Sequence, residues 1–267
     1  MNLVKSNKKY ELTSETKKVC GYTLYRIKAV KDFKKIKAGT LGGWIEKEEN
    51  LSHDGLCWVT NNAYVTDNAR VTDNAYVTDN AYVTDNARVT DNAYVTDNAR
   101  VTDNAYVTDN ARVAGNACVT DNAWVAGNAW VTGNARVTGN AWVAGNAWVA
   151  GNAWVAGNAR VTDNARVAGN ACVTDNARVT GNAWVADNAL IKKTEDVLVV
   201  GPLGSRNSYT TFYKGCDNQI YVHCGCFLDT IDKFTDKVIS THGEHKHRYA
   251  YEAAINLTKL QIGRKTQ

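Results

Sequence analysis

No apolar run in these 267 residues approaches the roughly 20 needed to cross a bilayer as a helix, so a membrane span is not expected. The polar stretch Met1–Lys18 carries no apolar signal segment, and the seven cysteines are odd in number and scattered. Both features argue against a secreted, disulfide-framed domain and make a reducing cytoplasm the expected compartment. The dense one-signed field of a generic nucleic-acid binder is also missing. The net charge of +4 divides into 12 Lys/Arg against 7 Asp/Glu in residues 1–58, 8 against 12 in residues 59–191, and 11 against 8 in residues 192–267. Basic ends and a mildly acidic middle argue against duplex binding.

What the chain has in abundance is a six-residue repeat. From Val59 to Ile191 an aliphatic residue returns at every sixth position, in units reading Ala-x-Val-Thr-Asp-Asn or Ala-x-Val-Ala-Gly-Asn. Such a period does not match helical packing, whereas a short alternating strand followed by a two-residue bend fits it. With Ala63-Tyr64-Val65-Thr66 as the strand, Ala63 and Val65 face inward while Tyr64 and Thr66 face outward. The bend, Asp67-Asn68 or Gly127-Asn128, uses residue types that accept left-handed backbone at small cost. Stacked asparagines can also bond to the coils above and below. At about 1.5 kcal/mol or more per buried valine, the 22 repeat valines offset the ordering of such short corners, and a rigid solenoid is expected.

The unit Val-Thr-Asp-Asn-Ala-x resembles the hexapeptide repeat of left-handed β-helix proteins, a family best known for trimeric acyltransferases. The resemblance implies three hexads per coil, hence about 18 residues per coil and about seven coils over Val59–Ile191; it also implies the left hand, since ordinary crossover rules favour the right. The block Ala38-Gly39-Thr40-Leu41-Gly42-Gly43-Trp44-Ile45, leading into Leu56-Cys57-Trp58-Val59, resembles the lead-in of bacterial and phage hexapeptide-repeat proteins of unassigned function. The fold expected is therefore mainly β: a left-handed parallel β-helix over residues 38–191, a β cap over residues 1–37, and a small α+β domain over residues 194–267.

Three hexads per coil sort the outward residues into columns. One holds Trp58, Tyr76, Tyr94, Arg112, Trp130, Trp148, Arg166 and Trp184; a second Tyr64, Tyr82, Arg100, Cys118, Arg136, Trp154, Cys172 and Leu190; a third Arg70, Arg88, Tyr106, Trp124, Trp142, Arg160 and Arg178. One reading makes them self-satisfying ladders of stacked rings and guanidinium groups. The other makes Trp124, Trp130, Trp142, Trp148, Trp154, Arg136 and Arg160 an interface, because Trp and Arg dominate binding hot spots. Its partner is a protein or a further copy of the chain, as a dimer or trimer. Asp67, Asp85 and Asp103 stack like charges, for which neighbouring arginines are the expected counter-charge.

The first 37 residues contain a hairpin, Lys18-Val19-Cys20 and Thr23–Ile27 about Gly21, expected to cap the first coil. At the other end, Val197–Val200, Thr210–Tyr213 and Gln219–Cys224 read as strands, followed by helices near residues 230–240 and 249–260. Segments Gly204-Ser205-Arg206-Asn207, Thr210-Thr211-Phe212-Tyr213, Cys224-Gly225-Cys226-Phe227 and Thr241-His242-Gly243 resemble a short module found in phage and prophage proteins. Gly204, Ser205, Arg206 and Asn207 can form a backbone nest with an arginine beside it, a site for a small anion or nucleotide; a plain tight turn is the alternative. Thr210, Thr211 and Cys226 complete the candidate ligand site. Cys216, Cys224, Cys226, His223 and His242 could ligate zinc, but Cys-x-Cys is unlike the usual knuckle spacing, so structural thiols are favoured and no metal or other cofactor is expected.

The resemblance to acyltransferases implies a histidine base in a cleft between subunits, with acyl-coenzyme A along the groove. Yet His53, His223, His242, His245 and His247 all lie outside the repeat, which also has no inserted loop. The function expected is a non-enzymatic, phage-encoded binding or scaffold protein, acting in the host cytoplasm by occupying a defence component or sequestering a nucleotide-like signal. The rivals are an acyltransferase using His53 or His223, and a thiol enzyme built on Cys226 at a strand-to-helix junction.

Overall fold

The structure, a computed structural model, describes residues 8–263 of a chain that divides into two compact units, residues 1–134 and 135–267. The first begins with β1 (Tyr10–Val19), β2 (Tyr22–Ala29) and β3 (Leu41–Ile45), then gives one two-residue strand per hexad, β4 (Trp58–Val59) to β16 (Trp130–Val131). Strands 18 positions apart pair in parallel: Tyr64–Val65 lies beside Tyr82–Val83, which lies beside Arg100–Val101 and then Cys118–Val119. Three such stacks form the faces of a left-handed parallel β-helix. The valines and alanines at the inward positions are fully buried, as the alternation of the strand requires.

The corner explains why only a few residue types recur there. Ala69 N–H donates to Thr66 O at 3.1 Å, closing a turn whose second residue, Asp67, has φ 56°. Every later corner of the repeat repeats this positive φ at its Asp or Gly, never at the Asn that follows. That Asn serves a different purpose: Asn86 Nδ2 donates to Asn104 Oδ1 at 3.1 Å, and Asn104 donates to Asn122 at 3.2 Å, so amide ladders run from coil to coil. Thr66, expected outside, is instead buried, and the other repeat threonines are mostly half-buried.

The stacked aspartates correct the expected arginine counter-charge. Thr84 Oγ1 donates to Asp85 Oδ2 at 2.7 Å, and the Asp103 amide reaches the same oxygen at 3.4 Å. Gly115 and Gly127 amides likewise donate to Asp97 and Asp109, each at 2.9 Å. Hydroxyls of Thr108 and Thr90 hold the Asp91 carboxyl below its ordinary value. Arginines turn to rings instead: Arg100 lies over Tyr82 at 5.1 Å, and Arg112 lies between Tyr94 at 5.9 Å and Trp130 at 5.6 Å.

The N-terminal hairpin is longer than expected and extends one stack, β2 pairing with β3, which pairs in parallel with Tyr64–Val65. Trp58, expected on the outside, is fully buried. Phe33 and Tyr10 cover it edge-on at 5.3 and 6.3 Å, and Tyr10 Oη donates to carbonyls of Glu48 and Leu51.

The second unit repeats the coil from β17 (Arg136–Val137) to β26 (Leu190–Ile191) and ends in a small α+β domain. Its antiparallel strands are β27 (Val197–Leu203), β28 (Ser208–Lys214), β29 (Ile220–Cys224) and β30 (Phe227–Thr230), followed by α1 (Ile231–His242) and α2 (Lys246–Gln261). Phe212, Val222, Phe234, Val238, Tyr251 and Ile255 form the core between sheet and helices. β30 was not expected, and it moves Cys226 into the turn between β29 and β30, away from the helix start at Ile231. The helix-terminus argument for an activated Cys226 thiol therefore fails.

Candidate functional site

Strand alternation in β28 and β29 sends side chains two ways. Thr210 and Phe212 face the helices, whereas Thr211, Tyr213 and the paired His223 face the last coil. Thr211 Oγ1 accepts from the Trp184 amide at 2.9 Å, and the His223 ring lies 4.0 Å from Trp184. Thr211 is thus a fastening between domain and coil rather than part of a ligand site.

On the helix side the two hairpin turns and α1 enclose a cleft of about 240 Å³. Buried Phe234, Val238 and Tyr251 make its floor; exposed Ser205, Arg206, Cys226, Lys237 and Thr241 make its rim. The expected residues Ser205, Arg206 and Cys226 therefore line one cavity. Thr210 stands behind it, donating to Cys224 Sγ at 3.2 Å. Asn207 holds the turn, with φ 46° and its amide 3.3 Å from Gly204 O.

Gly204 acts through the space it leaves. At φ 68°, a Cβ there would sit 2.2 Å from Tyr251 Oη. Tyr251 stacks on His242 at 5.6 Å and meets Phe234 edge-on at 5.5 Å. Burial, then the hydrogen bond with the Cys224 thiol, push its phenol up to about 12, so it stays neutral at physiological pH.

The cleft's electrostatics are one-sided. Lys233 pairs with Asp229 at 2.8 Å, and Arg248 pairs with Glu244 and Glu252 at 2.8 and 2.7 Å. Arg206 and Lys237 have no such partner among the described residues, and no carboxylate lines the cavity. Two unneutralised cations above an aromatic floor suit an anion with an apolar or planar body. Lys237, Ser208 and the aromatic floor escaped the sequence reading, although Phe234, Lys237, Val238 and Thr241 share one face of α1 by their spacing.

The candidate zinc ligands do not converge. His223 faces the coil and Cys216 is exposed in the β28–β29 turn; among the described residues no group of three His, Cys, Asp or Glu is placed to hold a metal. His53 lies against Tyr10, ring to ring at 4.3 Å, with Nδ1 accepting from the Lys9 amide at 3.1 Å. No described helix is long and apolar enough to cross a membrane.

Burial lowers the His223 pKa, with Asp187 opposing and Arg166 reinforcing the shift. A histidine kept neutral by folding contributes stability above its unfolded value near 6.5, and that stability is lost as pH falls below it toward the folded value. The melting temperature of the second unit should therefore drop on acidification below about pH 6.5, and His223→Phe should flatten that dependence. An unchanged pH profile in the variant would contradict this.

Outside the cleft, the columns form within each unit. In the second unit Arg166 lies between Trp148 and Trp184, at 5.6 and 5.1 Å, and Arg160 covers Trp142 at 5.2 Å. Trp142, Trp148 and Trp154 remain 37–49 % exposed. In the first unit Trp124 and Trp130 are 47 and 43 % exposed. Arg136 pairs across strands with Trp154. No protein-family model matches this sequence, and comparison with curated proteins gives no match.

Proposed function

We propose that this protein is a non-catalytic binding protein whose β-helical coils serve as scaffold and whose C-terminal cleft holds a small anion with a planar or apolar body. The observation that carries this is the pair of cations, Arg206 and Lys237, which have no carboxylate partner among the described residues and stand above the Phe234 and Tyr251 floor. A nucleotide meets both requirements: phosphate oxygens for the cations and rim hydroxyls, a base for the rings. The resemblance of the C-terminal segments to phage and prophage modules supports the finer reading, in which a phage-encoded protein removes a host nucleotide signal from circulation in the cytoplasm.

Calorimetric titration of the intact chain with AMP, adenosine, inorganic phosphate and coenzyme A tests this. AMP should bind more tightly than adenosine or phosphate alone. Arg206→Ala and Lys237→Ala should each weaken it about tenfold to a hundredfold, the worth of one charge-assisted hydrogen bond. Absence of AMP binding, or binding indifferent to both changes, would overturn the reading. Coenzyme A binding lost on changing His53 or His223 would favour the acyltransferase instead.

Exposed Trp142, Trp148 and Trp154 favour a second, compatible role in self-association. A Trp148→Ser, Trp154→Ser chain should sediment as a smaller species than the parent. Equal sedimentation of the two would remove that role.

A further inference from the structure

An unusual contact of the first unit lies away from any site described so far. Lys9 is 1 % exposed, Cys57 is fully buried, and Lys9 Nζ sits 3.2 Å from Cys57 Sγ. The amine's other polar neighbours are the carbonyls of Asp54 and Gly55, each at 3.5 Å, with the Phe33 ring 5.3 Å away. No carboxylate lies within ion-pair distance of it among the described residues. A lysine buried this way is disfavoured as an ammonium ion. Burial pulls its pKa down, while burial pushes the Cys57 thiol up, so both groups move toward their neutral forms. The neutral amine is the nucleophilic form of lysine.

We propose that Lys9 and Cys57 form an oxidative crosslinking site, in which the Lys9 amine traps the sulfenic acid of Cys57 as a sulfur–nitrogen bond. The oxidant is a peroxide. The neutral Lys9 amine, 3.2 Å from Cys57 Sγ, takes the thiol proton. The thiolate sulfur attacks one peroxide oxygen, the oxygen–oxygen bond breaks, and the departing hydroxide recovers that proton from Lys9 as water, so the sulfur is oxidised by two electrons, the peroxide is reduced and the amine is neutral again. Lys9 Nζ then attacks that sulfur, the sulfur–oxygen bond breaks, and the departing hydroxide takes an amine proton as a second water. The pair has lost two hydrogens in all. Sulfur held in this way is shielded from further oxidation to sulfinic or sulfonic acid, and a thiol reductant reverses the bond. The link joins positions 48 apart, tying the residue just before β1 to the turn that leads into β4. It would lock the N-terminal hairpin against the first coil under oxidising conditions.

Peptide mapping of the intact chain after hydrogen peroxide treatment, digested by trypsin without reductant, decides the matter. The tryptic fragment carrying Lys9 contains no cysteine, so a joined Lys9–Cys57 pair cannot be a disulfide. The expected product is that pair, lighter by two hydrogens than its separate fragments, abolished by dithiothreitol and missing from Lys9→Met. Recovery of Cys57 as free thiol, as sulfinic or sulfonic acid, or in a disulfide would overturn the proposal. The wild-type map suffices by itself, so a Lys9→Met chain that fails to fold leaves the test intact.

Discussion

Val101→Asp is expected to unfold the first unit. Val101 is fully buried, with Val83 on the strand to one side and Val119 on the strand to the other. A carboxylate placed there meets methyl groups and no spare donor, since the neighbouring backbone amides already bond between coils. The cost exceeds about 4 kcal/mol, enough to consume most of the stability of an ordinary domain. Arg100→Asp, one residue away and facing outward, removes only a cation–π contact worth about 0.5–1 kcal/mol. Guanidinium denaturation of the two chains gives the comparison directly. Similar midpoints for both would mean that the valine column is not a dry interior.

Gly204→Ala should loosen the C-terminal domain and the cleft together. A non-glycine residue in the left-handed region costs about 1–2 kcal/mol, and the new methyl would stand 2.2 Å from Tyr251 Oη, so the phenol must move. Displacing Tyr251 disturbs its contacts with Phe234, His242 and Cys224, for a total of about 3 kcal/mol. The expected signs are a lower melting temperature for the second unit and weakened AMP binding. The same change at Gly181, a corner glycine with φ 65° whose Cβ would meet nothing within 4 Å, carries the backbone strain alone and is the control. Equal effects at the two positions would show that the Tyr251 contact contributes nothing.

These two substitutions mark the boundary between what the chain reveals in one dimension and what it hides. Val101 could be placed from its period alone, because a strand-and-corner unit repeated this often leaves one consistent inside. The outward columns followed from the same arithmetic: Arg112 does lie between Tyr94 and Trp130. Trp58 broke the pattern because Tyr10 and Phe33, which cover it, are distant in sequence, and the aspartates broke it because the preceding threonine hydroxyl and the amide of the adjoining coil outcompete arginine. In the C-terminal domain, without a repeat, local reading found the Gly204–Asn207 turn but not what faces it. Phe227–Thr230 is too short to announce itself as a strand, and without it Cys226 falls at the wrong end of a helix. Lys237 and Tyr251 join the cleft only through helix packing, which no local motif encodes.

The functional claim rests on where a ligand goes. Amide hydrogen exchange of the intact chain, with and without saturating AMP, reports that by location. Protection should rise in residues 204–208, in the turn around Gly225 and Cys226, and in the second half of α1, leaving exchange in the coils unchanged. Protection confined to the coils, or none anywhere, would contradict the account.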